Sequence, residues 1–112
     1  MAETFNRASV ALSTTGITDV YQAPNAADAN RAVVLSCIVS NVDGTNAADI
    51  TLTISDSSNS AIARIASTIQ VPADSTLEAI ANKLILKRGE KIRATASAAN
   101  DLEVTVSVLE IT

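Results

Sequence analysis

Histidine is absent from these 112 residues, and the single cysteine, Cys37, stands inside the apolar stretch RAVVLSCIVSNV. Those two facts remove most side-chain chemistry. Without an imidazole, neither a Ser-His-Asp nor a Cys-His nucleophile can be assembled. One thiol cannot form an intrachain disulfide or hold zinc, and Cys37 reads as an inert core thiol. Carboxylates are more plentiful. Asp19/Asp28 and Glu103/Glu110 are pairs that could do acid–base work, and Asp43, Asp49 and Asp56 could offer oxygens to calcium. The pairs fall at strand edges and turns, where solubility accounts for them, and the trio matches no calcium loop. What remains is charge. Lys83, Lys87, Arg88, Lys91 and Arg93 are five of the eight basic residues, opposed locally only by Glu90. Their segment is +4 within a chain whose net charge is −4. The cluster reads either as a solvated hairpin that blunts an exposed edge or as a surface that docks on an acidic patch of a neighbouring subunit. Direct nucleic-acid contact is disfavoured by the acidic balance and by the lack of aromatic stacking platforms.

The elements that must position these residues are short and β-prone. The stretch LILKRGEKIRATASAANDLEVTVSVLEI, from Leu84 to Ile111, is two alternating runs with tight polar turns. Leu84 and Leu86 face inward ahead of the Lys87–Glu90 turn. Ile92, Ala94 and Ala96 continue inward, and after Asn100-Asp101 so do Leu102, Val104, Val106 and Val108. The phase then slips, with Glu110 at an inward position and Leu109 and Ile111 outside. A bulge or an outer face packed on a partner would produce that.

Further upstream, Ile50, Leu52 and Ile54 alternate with Thr51, Thr53 and Ser55, the pattern of a half-buried antiparallel strand. Over Arg31–Val42, Val33, Leu35, Cys37 and Val39 share one face and Val34 and Ile38 the other, so both faces are apolar. That suggests a central strand or one whose outer face meets another chain. Phe5–Leu12 is a first strand with Val10 and Leu12 together. Ile17–Ala23 is a second, with Val20 and Tyr21 on opposite faces. The region 61–81 is ambiguous. Ile62, Ile65 and Ile69 have helical spacing, and Ser75-Thr76-Leu77-Glu78 could be a capping box. Pro72 and the surrounding strand-like style favour strands over 63–71 and 76–81, joined by a Pro72–Ser75 turn. Eight or nine short strands at about ten-residue intervals predict an all-β, antiparallel β-sandwich (jelly-roll or Ig-like) of about eight strands.

Length predicts a single domain over residues 1–112. The core must be aliphatic and thin, since the aromatics are Phe5, Tyr21 and no tryptophan. A domain of this size buries only about two-thirds of its unfolded surface, which favours added stability from neighbouring copies. The N-terminus lacks the basic region and apolar run of a signal peptide. The longest apolar run, Ala32–Leu35, is too short to cross a membrane.

The block VPADSTLEAIANKLILKRGEKIRATAS, with the closing strand VTVSVLEI, resembles small virion proteins of tailed bacteriophages. The matching residues are Val71, Pro72, Ala73, Ser75, Thr76 and Leu77, then Leu84, Leu86, Gly89, Glu90 and Ile92. Val104, Val106, Glu110 and Ile111 complete them, and Val33–Asn41 followed by ITLTIS matches more loosely. The resemblance implies a β-sandwich structural protein of a phage particle and leaves head or tail open, because these are turn-and-strand motifs.

The expected role is therefore a capsid decoration or cement subunit that stabilises the head through subunit contacts. The alternative is a neck, tail, baseplate or fibre-attachment component, with a glycan- or receptor-binding module ranked behind. No catalytic residue, cofactor or metal is expected. The expected interaction residues are Lys83, Lys87, Arg88, Lys91 and Arg93, with Val34, Ile38, Leu109 and Ile111 as outward apolar contacts. The expected partners are sibling copies, as a trimer, and the major capsid protein or other virion proteins. Nucleic acid and membrane are not expected partners. The expected location is the virion, assembled in the host bacterial cytoplasm.

Overall fold

The computed structural model describes residues 2–80 and 82–112. Nine strands follow one another: β1 (Glu3–Ala11), β2 (Thr18–Gln22), β3 (Arg31–Asn41), β4 (Ala48–Ser55) and β5 (Ala61–Val71), then β6 (Thr76–Ile80), β7 (Leu84–Leu86), β8 (Lys91–Ala96) and β9 (Leu102–Ile111). The region with helical isoleucine spacing is strand on both sides of the Pro72 turn. The expected strand end at Ala81 lies outside the described residues.

The strands form two antiparallel sheets. One runs β1-β9-β3-β6, with β7 also paired to β3; the other runs β2-β8-β4-β5. Since β6 pairs with residues 37–40 of β3 and β7 with residues 32–34, the two short strands share one lane. Nine strands therefore fill eight lanes, and the chain crosses between sheets at nearly every connection. That order is the jelly roll, which decides between the two sandwich types the sequence allows.

The core lies between the sheets. Leu12, Ile50, Leu52, Leu86, Ile92, Leu102, Val104, Val106 and Val108 are its large members, all almost fully buried. Two bulges revise the expected faces. In β3 the register with β9 shifts between Val34 and Ser36. Leu35 is the extra residue, and it reverses the alternation. Ala32 and Val34 point inward before it, Cys37 and Val39 after it, all at 0% exposure. Val34 is thus a core residue and not an outward contact, while Val33 takes the outer position. In β2 the register with β8 shifts between Asp19 and Tyr21, so Val20 and Tyr21 are both buried rather than on opposite faces.

The phase slip at the end of the chain needs no bulge in β9. Its nine pairs with β1, from Glu3↔Ile111 to Ala11↔Glu103, are unbroken. Glu110 turns inward and accepts a hydrogen bond from the Tyr21 hydroxyl at 2.5 Å. A polar residue takes an inward position there because the opposite sheet supplies a donor.

Candidate protein-interaction surface

Among the described residues no pocket opens, and no three His, Cys, Asp or Glu side chains converge as a metal site. Several of the carboxylates singled out by sequence hold local structure. Asp43 accepts from the backbone amides of Thr45 and Asn46, at 2.7 and 3.2 Å, and these bonds hold its carboxyl below the ordinary range. Asp56 accepts from the amides of Ser58 and Ser60, both at 2.9 Å. Glu103 and Glu110 point to opposite faces of β9. Cys37 is buried, which pushes its thiol up to about 11 and leaves it a poor nucleophile.

The basic cluster is divided by the fold. Lys91 and Arg93 alternate with the inward Ile92 and Ala94, so they lie on the outer side of the second sheet. There Asp19 of β2 accepts from Arg93 at 2.6 Å and from Lys91 at 3.3 Å. Burial raises the Asp19 pKa, but the bonds from Arg93 and Lys91 outweigh it and hold the carboxyl below its ordinary value. Lys91 also reaches the Asn59 side chain at 2.9 Å. Arg88 pairs with Asp28. Lys83 and Lys87 are exposed and carry no ion pair among the described residues.

The two outer faces differ in character. Beside Lys91 and Arg93 the second sheet carries the half-buried Thr51 and Thr95, with Thr53 and Ser55 buried; its outward cations are ion-paired internally, and its edge strand β5 exposes Ile62 and Ile69. The first sheet carries an apolar strip at one end, beyond the polar Arg7, Ser9, Thr105 and Ser107. Phe5 of β1 stands opposite Leu109 of β9, Leu109 opposite Val33 of β3, and Val33 opposite Ile85 of β7. These four form one unbroken apolar row across the sheet. Phe5 is 76% exposed and Ile85 56%, with Leu109 and Val33 half-buried between them. Ile111 lies one position along, flanked by Glu3 and Arg31, and Ile38 lies farther down the same face. Cross-strand neighbours of this kind act as a unit, and contiguous exposed apolar surface marks contact sites.

Of the apolar residues expected outside, Ile38, Leu109 and Ile111 are on this face, and Val34 is not. Phe5, Val33 and Ile85 complete the row without having been singled out. Their signal was strand pairing, which joins residues about 50 to 100 positions apart in sequence and which periodicity does not reveal.

No family model matches the sequence, and no curated protein matches it. Solved structures do match. A chain of the Bacillus endospore appendages, a family of disulfide-linked pili, aligns over 98% of this chain and 88% of its own, at 13% identity and TM-score 0.57. A chain from the acid-stable capsid of Helicobacter pylori bacteriophage KHP30 aligns over 100% and 89%, at 10% identity and TM-score 0.56. A chain of the T13 particle of infectious bursal disease virus aligns over 97% of this chain, at 7% identity and TM-score 0.57, but this chain spans only 31% of it. At these identities the likeness is one of fold: the jelly roll seen here is similar to chains found in two viral capsids and in a pilus.

Proposed function

We propose that this chain is a structural subunit of a virion, and specifically a decoration or cement subunit on the capsid of a tailed bacteriophage. The observation that carries the reading is the contrast between the two outer faces. A subunit laid on a particle needs one adhesive side and one side content in water. The row Phe5–Leu109–Val33–Ile85, with Ile111 and Ile38, supplies the first. The ion-paired part of the second sheet, Lys91 and Arg93 with Asp19, supplies the second. Of the basic cluster, Lys83 and Lys87 are left, among the described residues, for an acidic patch on a neighbouring capsid protein. The near full-length likeness to a phage-capsid chain supports the same reading.

Each such contact is weak alone, and many copies repeated by symmetry hold a shell by avidity. A ring of three is the unit expected from the sequence. The fold is equally similar to a chain of disulfide-linked pili, but the only thiol here is fully buried, so disulfide-linked assembly lacks a residue.

Quantitative mass spectrometry of purified particles tests the proposal. Copy numbers near that of the major capsid protein support decoration. A few to a few dozen copies move the chain to neck, tail or baseplate, and absence from particles overturns the virion assignment.

A further inference from the structure

The four sheet edges of the sandwich are unequally protected. Strand edges carry unpaired amides and carbonyls, and proteins blunt them with short strands, bulges and breaks. Strand β2 has five residues and a register shift. Strand β5 has three register shifts against β4 and a positive φ of 47° at Thr68. The lane of β6 and β7 is shared by two short strands, with Asn82 and Lys83 in neither. Strand β1 alone is long and straight, with nine consecutive pairs to β9 and no shift.

The pairing also fixes which of its groups face the open side. Ala2 exchanges both backbone bonds with Thr112, at 2.8 and 2.9 Å. In unbroken antiparallel register, the even-numbered residues of β1 therefore turn their amides and carbonyls to β9. Glu3, Phe5, Arg7, Ser9 and Ala11 turn theirs outward. Consistent with this, the Arg7 amide donates only to the neighbouring Asn6 side chain, at 2.8 Å.

We infer that β1 pairs antiparallel with β1 of a second copy about a twofold axis at Phe5. The register follows from side chains. Aligning the strands for greatest overlap sets Arg7 against Arg7 of the second copy, a like-charge pair. Moving the dyad to Phe5 sets Glu3 against Arg7 twice by symmetry, Phe5 against Phe5, and Thr4 against Asn6. The outward-turned groups of Glu3, Phe5 and Arg7 then meet their counterparts as hydrogen-bonded pairs. The apolar row becomes continuous from Ile85 of one copy to Ile85 of the other, eight residues across one joined sheet. An isologous contact of this kind closes on itself and leaves no further β1 edge to propagate. The inference stands apart from the virion reading, since it concerns the purified chain alone.

The test is sedimentation velocity on the full chain over a concentration series, with Glu3→Arg, Arg7→Glu and the double charge swap. The wild type is expected to show a concentration-dependent dimer. Each single change turns two attractive pairs repulsive and should weaken the dimer roughly tenfold or more. The double swap should restore it. A wild type that stays monomeric at every concentration overturns the inference, as does a single variant that dimerises normally or a swap that fails to rescue. Both side chains are exposed, so unfolding midpoints should hardly move.

A cross-link reads the register independently. Residues opposite one another in a hydrogen-bonded pair have Cα atoms about 5.5 Å apart, within disulfide reach. Phe5→Cys should give an interchain disulfide on oxidation and Arg7→Cys should not. The reverse result would place the dyad at Arg7 and refute this register.

Discussion

Replacing Tyr21 with phenylalanine tests the account of the inward Glu110. The Tyr21 ring is 7% exposed, and its hydroxyl is the closest donor to Glu110, at 2.5 Å; the Asn6 amide lies at 3.4 Å. A hydrogen bond to a charged acceptor contributes about 1.5–3 kcal/mol. Glu110 is only half-buried, so water compensates part of the loss and the lower end applies, about 1.5 kcal/mol. For a domain of this size that corresponds to a fall in Tm of about 6 °C.

The pH dependence is a sharper test than the midpoint. Burial first, then the hydrogen bond to Glu110 and its charge, push the Tyr21 pKa well above the ordinary tyrosine value. Above about pH 10 the unfolded chain loses this proton while the folded chain keeps it. Tyr21 therefore contributes stability that is fully present below about pH 10 and is lost as pH rises toward the folded value. With one tyrosine and no tryptophan, tyrosinate absorbance reports Tyr21 directly. Cys37 titrates in a neighbouring window, raised by burial to about 11, so urea unfolding at stepped alkaline pH belongs in a Cys37→Ala background. The expected result is a delayed tyrosinate transition and an alkaline loss of stability that Tyr21→Phe abolishes. A folded Tyr21 titrating near 10, or an unchanged slope in the variant, would refute the assignment.

Other perturbations check other joints. Leu52→Ala empties a fully buried site and should cost about 2–5 kcal/mol in chemical denaturation. Asn41 is buried and ties two loops, donating to the carbonyls of Asn46 at 3.0 Å and Val71 at 2.9 Å; Asn41→Ala should cost about 2–3 kcal/mol by orphaning buried backbone. Gly89 has φ +71°, and an added Cβ would meet Asn25 Oδ1 at 2.7 Å. Gly89→Ala should lower stability by about 1 kcal/mol or more on differential scanning calorimetry. A thiol reagent should label Cys37 only as fast as the chain opens, and prompt labelling of native protein would contradict its burial.

The fold was legible where alternation was clean and unbroken. Strands β8 and β9 kept the faces expected of them, because Ile92 and Ala94, or Val104, Val106 and Val108, stand on one side with polar residues between. In β4 the expected burial holds as far as Leu52, after which Thr53 and Ser55 are buried and Ile54 is half-buried. Reading failed at bulges. Leu35 adds one residue to β3, and nothing in RAVVLSCIVSN distinguishes a bulge from a strand apolar on both faces. The same holds for Val20 in β2. The isoleucines of β5 mimic helical spacing because three register shifts and the bend at Thr68 break the two-residue period. Of the interaction residues, those near the end of β9 were legible from their own parity. Phe5 and Ile85 acquire meaning only through partners far away in sequence. The basic cluster was legible as composition but not as surface, since Asp19 of β2 and Asp28 of the loop between β2 and β3 arrive to pair three of its five members.

The bulge at Leu35 links the interior to the candidate contact surface. Had β3 kept a strict two-residue period from Ala32, Ser36, Ile38 and Ser40 would enter the core and Cys37 and Val39 would face water. One inserted residue lets the first half bury Ala32 and Val34 and the second bury Cys37, Val39 and Asn41. It also leaves Val33 outside, opposite both Leu109 and Ile85, where it joins the two ends of the apolar row. Deleting Leu35 should therefore remove the bulge and keep both layers in phase, because Ala32, Val34, Cys37 and Val39 then fall on one two-residue period while Val33 stays outside, opposite Leu109 and Ile85. Val33→Ser tests the outer row alone. It keeps the bulge and the core, and should weaken contacts made by the outer face while leaving the unfolding midpoint within about 0.5 kcal/mol of wild type. A large loss of stability from Val33→Ser would mean that the row is part of the fold's own packing and not a surface held ready for a neighbour.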